Sequence, residues 1–89
     1  MSFVLWIEDI FYLKDGRTVF AGQMKDKNIK NLKYWGHVML DDKVVYIGLF
    51  GLLLTDTNYL NRVGFYTYCG DTKFPFCNKM QLLLSLAAD

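Results

Sequence analysis

The first part of the chain has the two-residue period of a β-strand, in which Phe3, Leu5 and Ile7 alternate with Val4, Trp6 and Glu8. Phe3, Leu5 and Ile7 share one face of an extended segment, and residues 17–24 are again rich in β-branched and aromatic side chains. This spacing is typical of β-strands. Residues 14–17 between the two segments read KDGR, and an Asp-Gly pair favours a type I′ turn, in which both central residues have positive φ. The pattern predicts a β-hairpin that turns at Asp15-Gly16.

Similar segments follow along the whole chain. Strands are predicted near residues 3–14, 17–24, 31–40, 43–49, 61–69 and 79–86. Asp41-Asp42 marks a second short turn between two apolar arms. Residues 50–60 leave two alternatives open, a covering loop or a short helical turn that closes one end of the barrel with Thr55 or Asp56 as its cap. The pattern predicts an all-β fold, a small six-stranded antiparallel β-barrel.

The first hairpin also resembles a known family. Residues of the hairpin match, without a gap, the opening motif of the second domain of elongation factor Tu and related translation factors: Ile7, Glu8, Asp9, Ile10, Phe11, Leu13, Thr18, Val19 and Gly22. Residues 61–66 and 80–83 are similar to two later strands of that domain. The resemblance implies a six-stranded barrel across almost the whole chain. The chain departs from the family at Lys27, where the family has glycine, in a displaced G-R-G, and in lacking the mid-barrel G-D-x-V.

Length and composition favour a single barrel domain over residues 1–89. A chain of 89 residues is long enough for one core and too short for a second catalytic lobe. Hydrophobic residues make up 53% and aromatic residues 17% of the chain, which suits a small β-barrel. No P-loop sequence of the form G-x-x-x-x-G-K-[ST] occurs. If the chain is a relative of the translation-factor barrel, it therefore lacks the GTPase domain of that family.

No segment of the sequence is predicted to interact with a membrane. The longest apolar runs, residues 47–54 and 82–88, are shorter than the about 20 residues that a membrane-spanning helix needs. The first residues carry no positively charged region and soon reach Glu8 and Asp9, so no signal peptide is predicted. We therefore expect a cytoplasmic protein.

The cysteines do not predict a metal site. Cys69 and Cys77 are the only two, and neither a C-x-x-C motif nor a pair of histidines accompanies them. We expect two ordinary, half-buried thiols, with a disulfide across the intervening turn as the alternative. The sequence predicts no metal and no cofactor.

Residues for catalysis are few. His37 is the only histidine, and Ser2 and Ser85 are the only serines. Few residues are therefore available to form a Ser-His-Asp triad. The sequence neither predicts nor excludes that His37 lies close enough to Cys69 or Cys77 to form a catalytic Cys-His pair.

The acidic pair Glu8-Asp9 is not expected to be catalytic either. Neighbouring residues on a strand point to opposite faces, which argues against a shared proton-transfer site. We instead assign the pair to the fold, at a β-bulge where a carboxylate accepts backbone N–H bonds. The sequence therefore predicts no catalytic residue and no enzymatic activity.

Aromatic residues indicate a binding surface on the third predicted strand. Alternation places one set of side chains in the core: Leu32, Tyr34, Val38 and Leu40. The other set then faces outward: Lys33, Trp35, His37 and Met39. Tryptophan and methionine are enriched where partners dock, and Trp6 and Tyr12 on the first strand extend the candidate set. The alternative is a one-residue slip, or a covering loop, that buries Trp35.

A cluster of lysines makes RNA the alternative partner. The net charge of +1 provides no global attraction for a phosphate backbone. Within the nine residues 25–33, only Asp26 opposes the candidate phosphate contacts: Lys25, Lys27, Lys30 and Lys33. These lysines are either a solvated loop or an RNA site. Because the translation-factor barrel touches the aminoacyl end of transfer RNA, the resemblance favours RNA binding. None of the matched positions, however, corresponds to an individual RNA contact of that family.

Three classes of function remain. The leading one is a non-enzymatic, stand-alone protein-binding module, most concretely a small cytoplasmic inhibitor or immunity protein that neutralises a partner toxin by binding. The chain is large enough for one standard interface of ~800 Å² per partner. The alternative is an RNA-binding module linked to translation. An enzyme that uses His37 with Cys69 or Cys77 has the least support.

Overall fold

Antiparallel strands close into a barrel in the computed structural model, which describes residues 2–25, 30, 32–56, 62–70, 72–74 and 79–87. The strands are β1 (Ser2–Tyr12), β2 (Arg17–Gln23), β3 (Lys33–Leu40), β4 (Lys43–Asp56), β5 (Arg62–Tyr68) and β6 (Met80–Leu86). They pair in the order β1-β2-β5-β4-β3-β6, and β6 returns to β1. The predicted all-β, six-stranded antiparallel barrel is confirmed. Among the residues described, no helix is long and apolar enough to cross a membrane.

The strands bury one face each in a shared core. The largest fully buried side chains include Phe20, Phe50 and Phe65. The rings of Phe20 and Phe50 are tilted with centroids 5.8 Å apart, and Phe65 meets Tyr34 edge-on at 5.8 Å. Aromatic rings favour such geometries because the positive edge of one ring faces the negative face of the other. Aromatic side chains therefore fill the barrel, and every strand contributes to the same core.

The core side of β3 agrees with the predicted alternation. Tyr34 and Val38 are buried, and Leu40 is partly buried against the core. The expectation that Leu32 faces the core is wrong, because β3 begins at Lys33 and Leu32 lies exposed outside its alternation.

The first hairpin turns where predicted, but its turn is not type I′. Gly16 has a φ of 94°, whereas Asp15 has no positive φ. The N–H of Gly16 donates to the carbonyl of Leu13, and the N–H of Leu13 donates to the carbonyl of Arg17. This is the pattern of a three-residue loop that ends in a left-handed glycine.

The Asp15 side chain stabilises this loop. Its carboxylate accepts a hydrogen bond from the Arg17 backbone N–H at 3.1 Å and another from Arg17 Nε at 2.7 Å. The backbone N–H of Arg17, together with its guanidinium, holds the pKa of Asp15 below the ordinary value. The side chain thereby selects a turn that the Asp-Gly pair alone did not predict.

Strand β4 is longer than predicted. It continues to Asp56, so the helical turn and the covering loop proposed for residues 50–60 are both wrong for residues 50–56. Thr55 and Asp56 do not cap a helix, because both pair with β5. The register shifts between Leu52 and Leu54, and this irregularity interrupts the alternation that would have identified the strand. Residues 57–60 lie outside the described part of the chain.

Strand β1 bends at Glu8. Its pairing with β2 shifts between Ile7 and Asp9, which leaves Glu8 as an extra residue and confirms the predicted bulge. Gly22 of β2 lies at this point, and a Cβ atom there would collide with the backbone carbonyl of Trp6. Glycine therefore allows the two strands to approach closely at the bulge.

Both carboxylates of the bulge contact one arginine of β5. Arg62 Nε lies 3.0 Å from Glu8 Oε1, and Arg62 Nη1 lies 2.6 Å from Asp9 Oδ2. Because a bulge sets two residues against one on the partner strand, Glu8 and Asp9 reach the same group, and the expectation that they diverge is wrong. The donors are the Arg62 guanidinium and, at 3.4 Å, Gln23 Nε2, so the expectation that a carboxylate accepts backbone N–H bonds here is wrong. The cluster joins β1, β2 and β5.

Candidate functional site

The outer surface of β4, β3, β6 and β1 carries adjacent apolar side chains. Trp35 of β3 pairs with Leu49 of β4. His37 pairs with Ile47 of β4 on one side and with Leu83 of β6 on the other. We define the docking face as the outward side chains of these neighbouring strands: Val4, Trp6, Trp35, His37, Met39, Val44, Ile47, Leu49 and Leu83.

Strand β1 joins this face through β6. Leu83 pairs with Val4, and Gln81 pairs with both Trp6 of β1 and Met39 of β3. Trp6 and Trp35 are distant in sequence, and the closed barrel places their strands two positions apart, on either side of β6.

The docking face exposes a large apolar area. Trp6 is 52% exposed, Trp35 45% and Ile47 56%. With about 250 Å² for a whole tryptophan side chain, the two indoles together present roughly 240 Å². The aliphatic side chains bring the face to on the order of 500 Å², which is near the upper end of the largest patch on a typical monomer. This surface is the candidate interaction site of the protein.

Alternation within β3 explains why Trp35 is outside. Tyr34, Gly36 and Val38 are buried, so the residues between them face outward. The predicted register of this strand is confirmed, and the alternative in which Trp35 is buried is wrong. His37 and Met39 are half-buried on the same side.

Tyr12 lies apart from the docking face. Its hydroxyl accepts a hydrogen bond from the Phe74 backbone N–H at 2.8 Å, and the Lys73 ammonium lies 3.9 Å from the centroid of its ring. The bulge at Glu8 separates this part of β1 from Trp6. The structure therefore does not bring Tyr12 together with the other predicted partner contacts.

Charged side chains lie at both ends of the docking face. At one end, Lys33 Nζ lies 5.5 Å from the centroid of the Tyr66 ring, and Arg17 Cζ lies 5.4 Å from the same centroid. These distances allow cation–π attraction. At the other end, the turn between β3 and β4 exposes Asp41 and Asp42, and the exposed Lys79 lies across from Asp41, next to the Leu40–Met80 pair.

The predicted RNA contacts are only partly described. Lys25, Lys30 and Lys33 are exposed. Lys27 lies outside the described residues. Of the three described lysines, Lys33 belongs to a strand, and it borders the docking face.

His37 and Cys69 are not brought together. The Cys69 thiol is free and donates to Thr18 Oγ1 at 3.3 Å beside the core. His37 lies on the outer surface of β3, so the barrel wall separates the two side chains. Cys77 lies outside the described residues. Within the described chain, no three His, Cys, Asp or Glu side chains are grouped as metal ligands would be.

No protein-family model, curated protein or solved structure matches this chain. The resemblance to the translation-factor barrel therefore stays a prediction. Two of the segments that carry it do meet in the structure, where Arg62 contacts Glu8 and Asp9.

Sequence reasoning missed most aliphatic members of the docking face. Strand β4 is apolar on both sides around its middle, with Phe50 in the core and Leu49 exposed, so its hydrophobic pattern does not say which side faces solvent. Alternation outward from Lys43 would have named Ile47 and Leu49. Val4 and Leu83 needed the pairing of β1 with β6, which the sequence does not reveal.

Proposed function

We propose that this protein is a non-enzymatic protein-binding module whose docking face binds a protein partner. The observation that supports it is the set of exposed apolar side chains on the outer sides of neighbouring strands β4, β3, β6 and β1, with Trp6 and Trp35 half exposed. Tryptophan is enriched among the residues that dominate binding energy. The apolar area is a large part of the ~800 Å² that one partner buries in a standard interface.

The most concrete version is a small cytoplasmic inhibitor or immunity protein that neutralises a toxin by covering its working surface. A closed barrel suits this role because a rigid binding surface loses little conformational entropy on docking. The partner would present an apolar centre and an acidic group opposite Lys33.

The test uses the protein that co-purifies with the native chain, titrated by calorimetry with purified variants. Trp35→Ala should weaken the complex at least about thirtyfold, equivalent to ~2 kcal/mol. Lys33→Ala should cost less than ~1 kcal/mol, mainly through a slower association rate, because it lies at the rim. Phe11→Ala is the matched control, since Phe11 is an exposed aromatic outside the docking face.

Two results would contradict the proposal. A folded Trp35→Ala variant with native affinity would show that the docking face is not the binding site. Loss of turnover in His37→Ala, or in the double replacement of Cys69 and Cys77 by Ala, with folding and partner affinity unchanged, would reveal an active site instead.

RNA binding linked to translation is the second candidate, favoured by the cations around Tyr66. Arg17 and Lys33 lie near the ring, and Tyr68 beside it is exposed. Cations and aromatic rings together bind single-stranded nucleic acid. Single-stranded oligouridine is the probe, and Lys30→Ala with Lys33→Ala should flatten the dependence of affinity on salt, because each phosphate contact adds about 0.7 to the slope.

A further inference from the structure

Cations from two strands meet one aromatic ring of β5. Tyr66 pairs with Gly51 of β4, and Gly51 pairs with Lys33 of β3, so the three residues form a row across neighbouring strands. A Cβ atom at Gly51 would collide with the Tyr66 ring, so this glycine leaves the space through which the ring extends towards β3. Lys33 Nζ lies 5.5 Å from the ring centroid, and Arg17 Cζ of β2 lies 5.4 Å from it. One ring therefore meets positive groups from both sides.

A second tyrosine beside this ring is exposed. Phe65 and Thr67 are buried, so alternation along β5 places Tyr66 and Tyr68 on the outside of the barrel. The two tyrosine rings are perpendicular, with centroids 6.1 Å apart. Tyr68 pairs with Arg17 and is 65% exposed. The contact with Tyr66 holds in place an aromatic ring that solvent reaches.

The charge around these rings is positive once the nearby carboxylates are counted. Asp15 lies 2.7 Å from Arg17 Nε and balances that cation. Among the described residues, no carboxylate forms an ion pair with Lys33. Lys30 is exposed beside the start of β3, where its carbonyl accepts a hydrogen bond from the Tyr34 hydroxyl. Two lysines without a described acidic partner thus lie at this edge.

The acidic pair of the bulge is too distant to cancel this charge. Glu8 and Asp9 contact Arg62, which leaves one excess negative charge at the other end of β5. Arg62 and Tyr66 are four residues apart on that strand, about 13 Å at the rise of a β-strand. Exposed charges at that separation are largely screened, because the Debye length is about 8 Å at physiological ionic strength.

We propose that the outer side of β5 binds single-stranded nucleic acid, with a base stacked on the Tyr68 ring and the adjoining phosphates held by Lys33 and Arg17. We define the stacking face by four residues: Arg17, Lys33, Tyr66 and Tyr68. Proteins that bind single strands combine cations along the backbone with aromatic rings on which bases stack. An unpaired strand is required, because the bases of a duplex are stacked on one another.

This inference rests on the RNA candidate and deepens it, and it does not need a protein partner. It adds base stacking to the phosphate contacts expected of the lysines. Binding that depends on the lysines but not on Tyr68 would leave the RNA candidate standing and overturn the stacking face. A chain that binds its protein partner through Trp35 and binds no nucleic acid would retain only the protein-binding function.

The first experiment is fluorescence anisotropy with a labelled oligouridine of about eight nucleotides, within the site size of a single-strand-binding barrel. Tyr68→Ala should weaken binding at least about fivefold, because stacking of one base is worth ~1 kcal/mol or more. Tyr68→Phe keeps the ring and should bind as the wild type does. Trp6→Ala is the matched control, because Trp6 is an exposed aromatic at the opposite end of β2 from Arg17.

The dependence of affinity on salt tests the phosphate contacts separately. Lys33→Gln should lower the slope of log affinity against log salt by about 0.7, the contribution of one phosphate contact in a single strand. Tyr68→Ala should leave this slope unchanged. Lys43→Gln removes the same charge from an exposed position next to the β3–β4 turn and should not alter the slope.

Two further probes identify the nucleic acid. Oligothymidine of the same length separates DNA from RNA, since a preference for oligouridine requires contact with the 2′-hydroxyl. An RNA duplex of the same length should bind more weakly than either single strand. Equal affinity for the duplex, unchanged affinity in a folded Tyr68→Ala variant, or no binding of either single strand at about 0.15 M salt overturns the proposal. Circular dichroism checks the folding of each variant.

Discussion

Gly22 is the residue on which the close approach of β1 and β2 depends. Gly22→Ala should lower the free energy of unfolding by more than ~2 kcal/mol, because the added Cβ meets the backbone carbonyl of Trp6, which cannot rotate away as a side chain could. Urea unfolding followed by far-ultraviolet circular dichroism measures the change.

Gly16→Ala is the matched control for this effect. Gly16 has a positive φ of 94° but open space around it, so alanine should cost only about 1 kcal/mol there. Equal losses in the two variants would contradict the role assigned to the bulge.

Single residues also explain where turn prediction failed. The Asp-Gly pair located the first turn correctly, because glycine adopts positive φ easily. Its type depended on the Asp15 carboxylate, which reaches both the backbone and the side chain of Arg17. A hydrogen bond that a backbone N–H donates to a nearby side chain stabilises one turn geometry over another. A rule based on the dipeptide alone does not distinguish these geometries.

The ionic cluster of β1 and β5 is the strand contact most open to test. Arg62→Met should lower the free energy of unfolding by about 1 kcal/mol, because it leaves the Glu8 and Asp9 carboxylates close together without a cation. The loss should shrink in high salt, which screens these partly exposed charges. Salt-dependent urea unfolding provides the measurement.

Arg62→Lys is the control for charge alone. Lysine keeps the positive charge but cannot form the forked contact of a guanidinium with two carboxylates, so its loss should be smaller than that of Arg62→Met. A salt-independent loss of equal size in both variants would indicate that packing of the Arg62 side chain, and not its charge, is responsible.

Strands were predictable where one side is buried and the other is not. In β3 the buried Tyr34 and Val38 fix the register, and Trp35 follows from it. In β4 the end was missed because the strand is apolar on both sides and shifts register between Leu52 and Leu54. Alternation is informative only while it is unbroken.

The candidate site was predictable in part. Trp35, His37 and Met39 follow from alternation in one strand, but their union with Trp6 depends on the closure of β6 onto β1. Tyr12 was included with Trp6 although the bulge at Glu8 comes between them. Pairing between distant strands is decided by the whole barrel, so no local pattern could separate them.

Both tryptophans of the chain, Trp6 and Trp35, lie on the docking face, and each is about half exposed. The intrinsic fluorescence of the uncovered protein should therefore resemble that of indole in water and change little when the barrel unfolds. Covering the face should shift the emission to shorter wavelengths, because the indoles lose contact with water. The two tryptophans thus form an optical reporter of partner binding, and a titration followed by emission wavelength would detect the complex without any label.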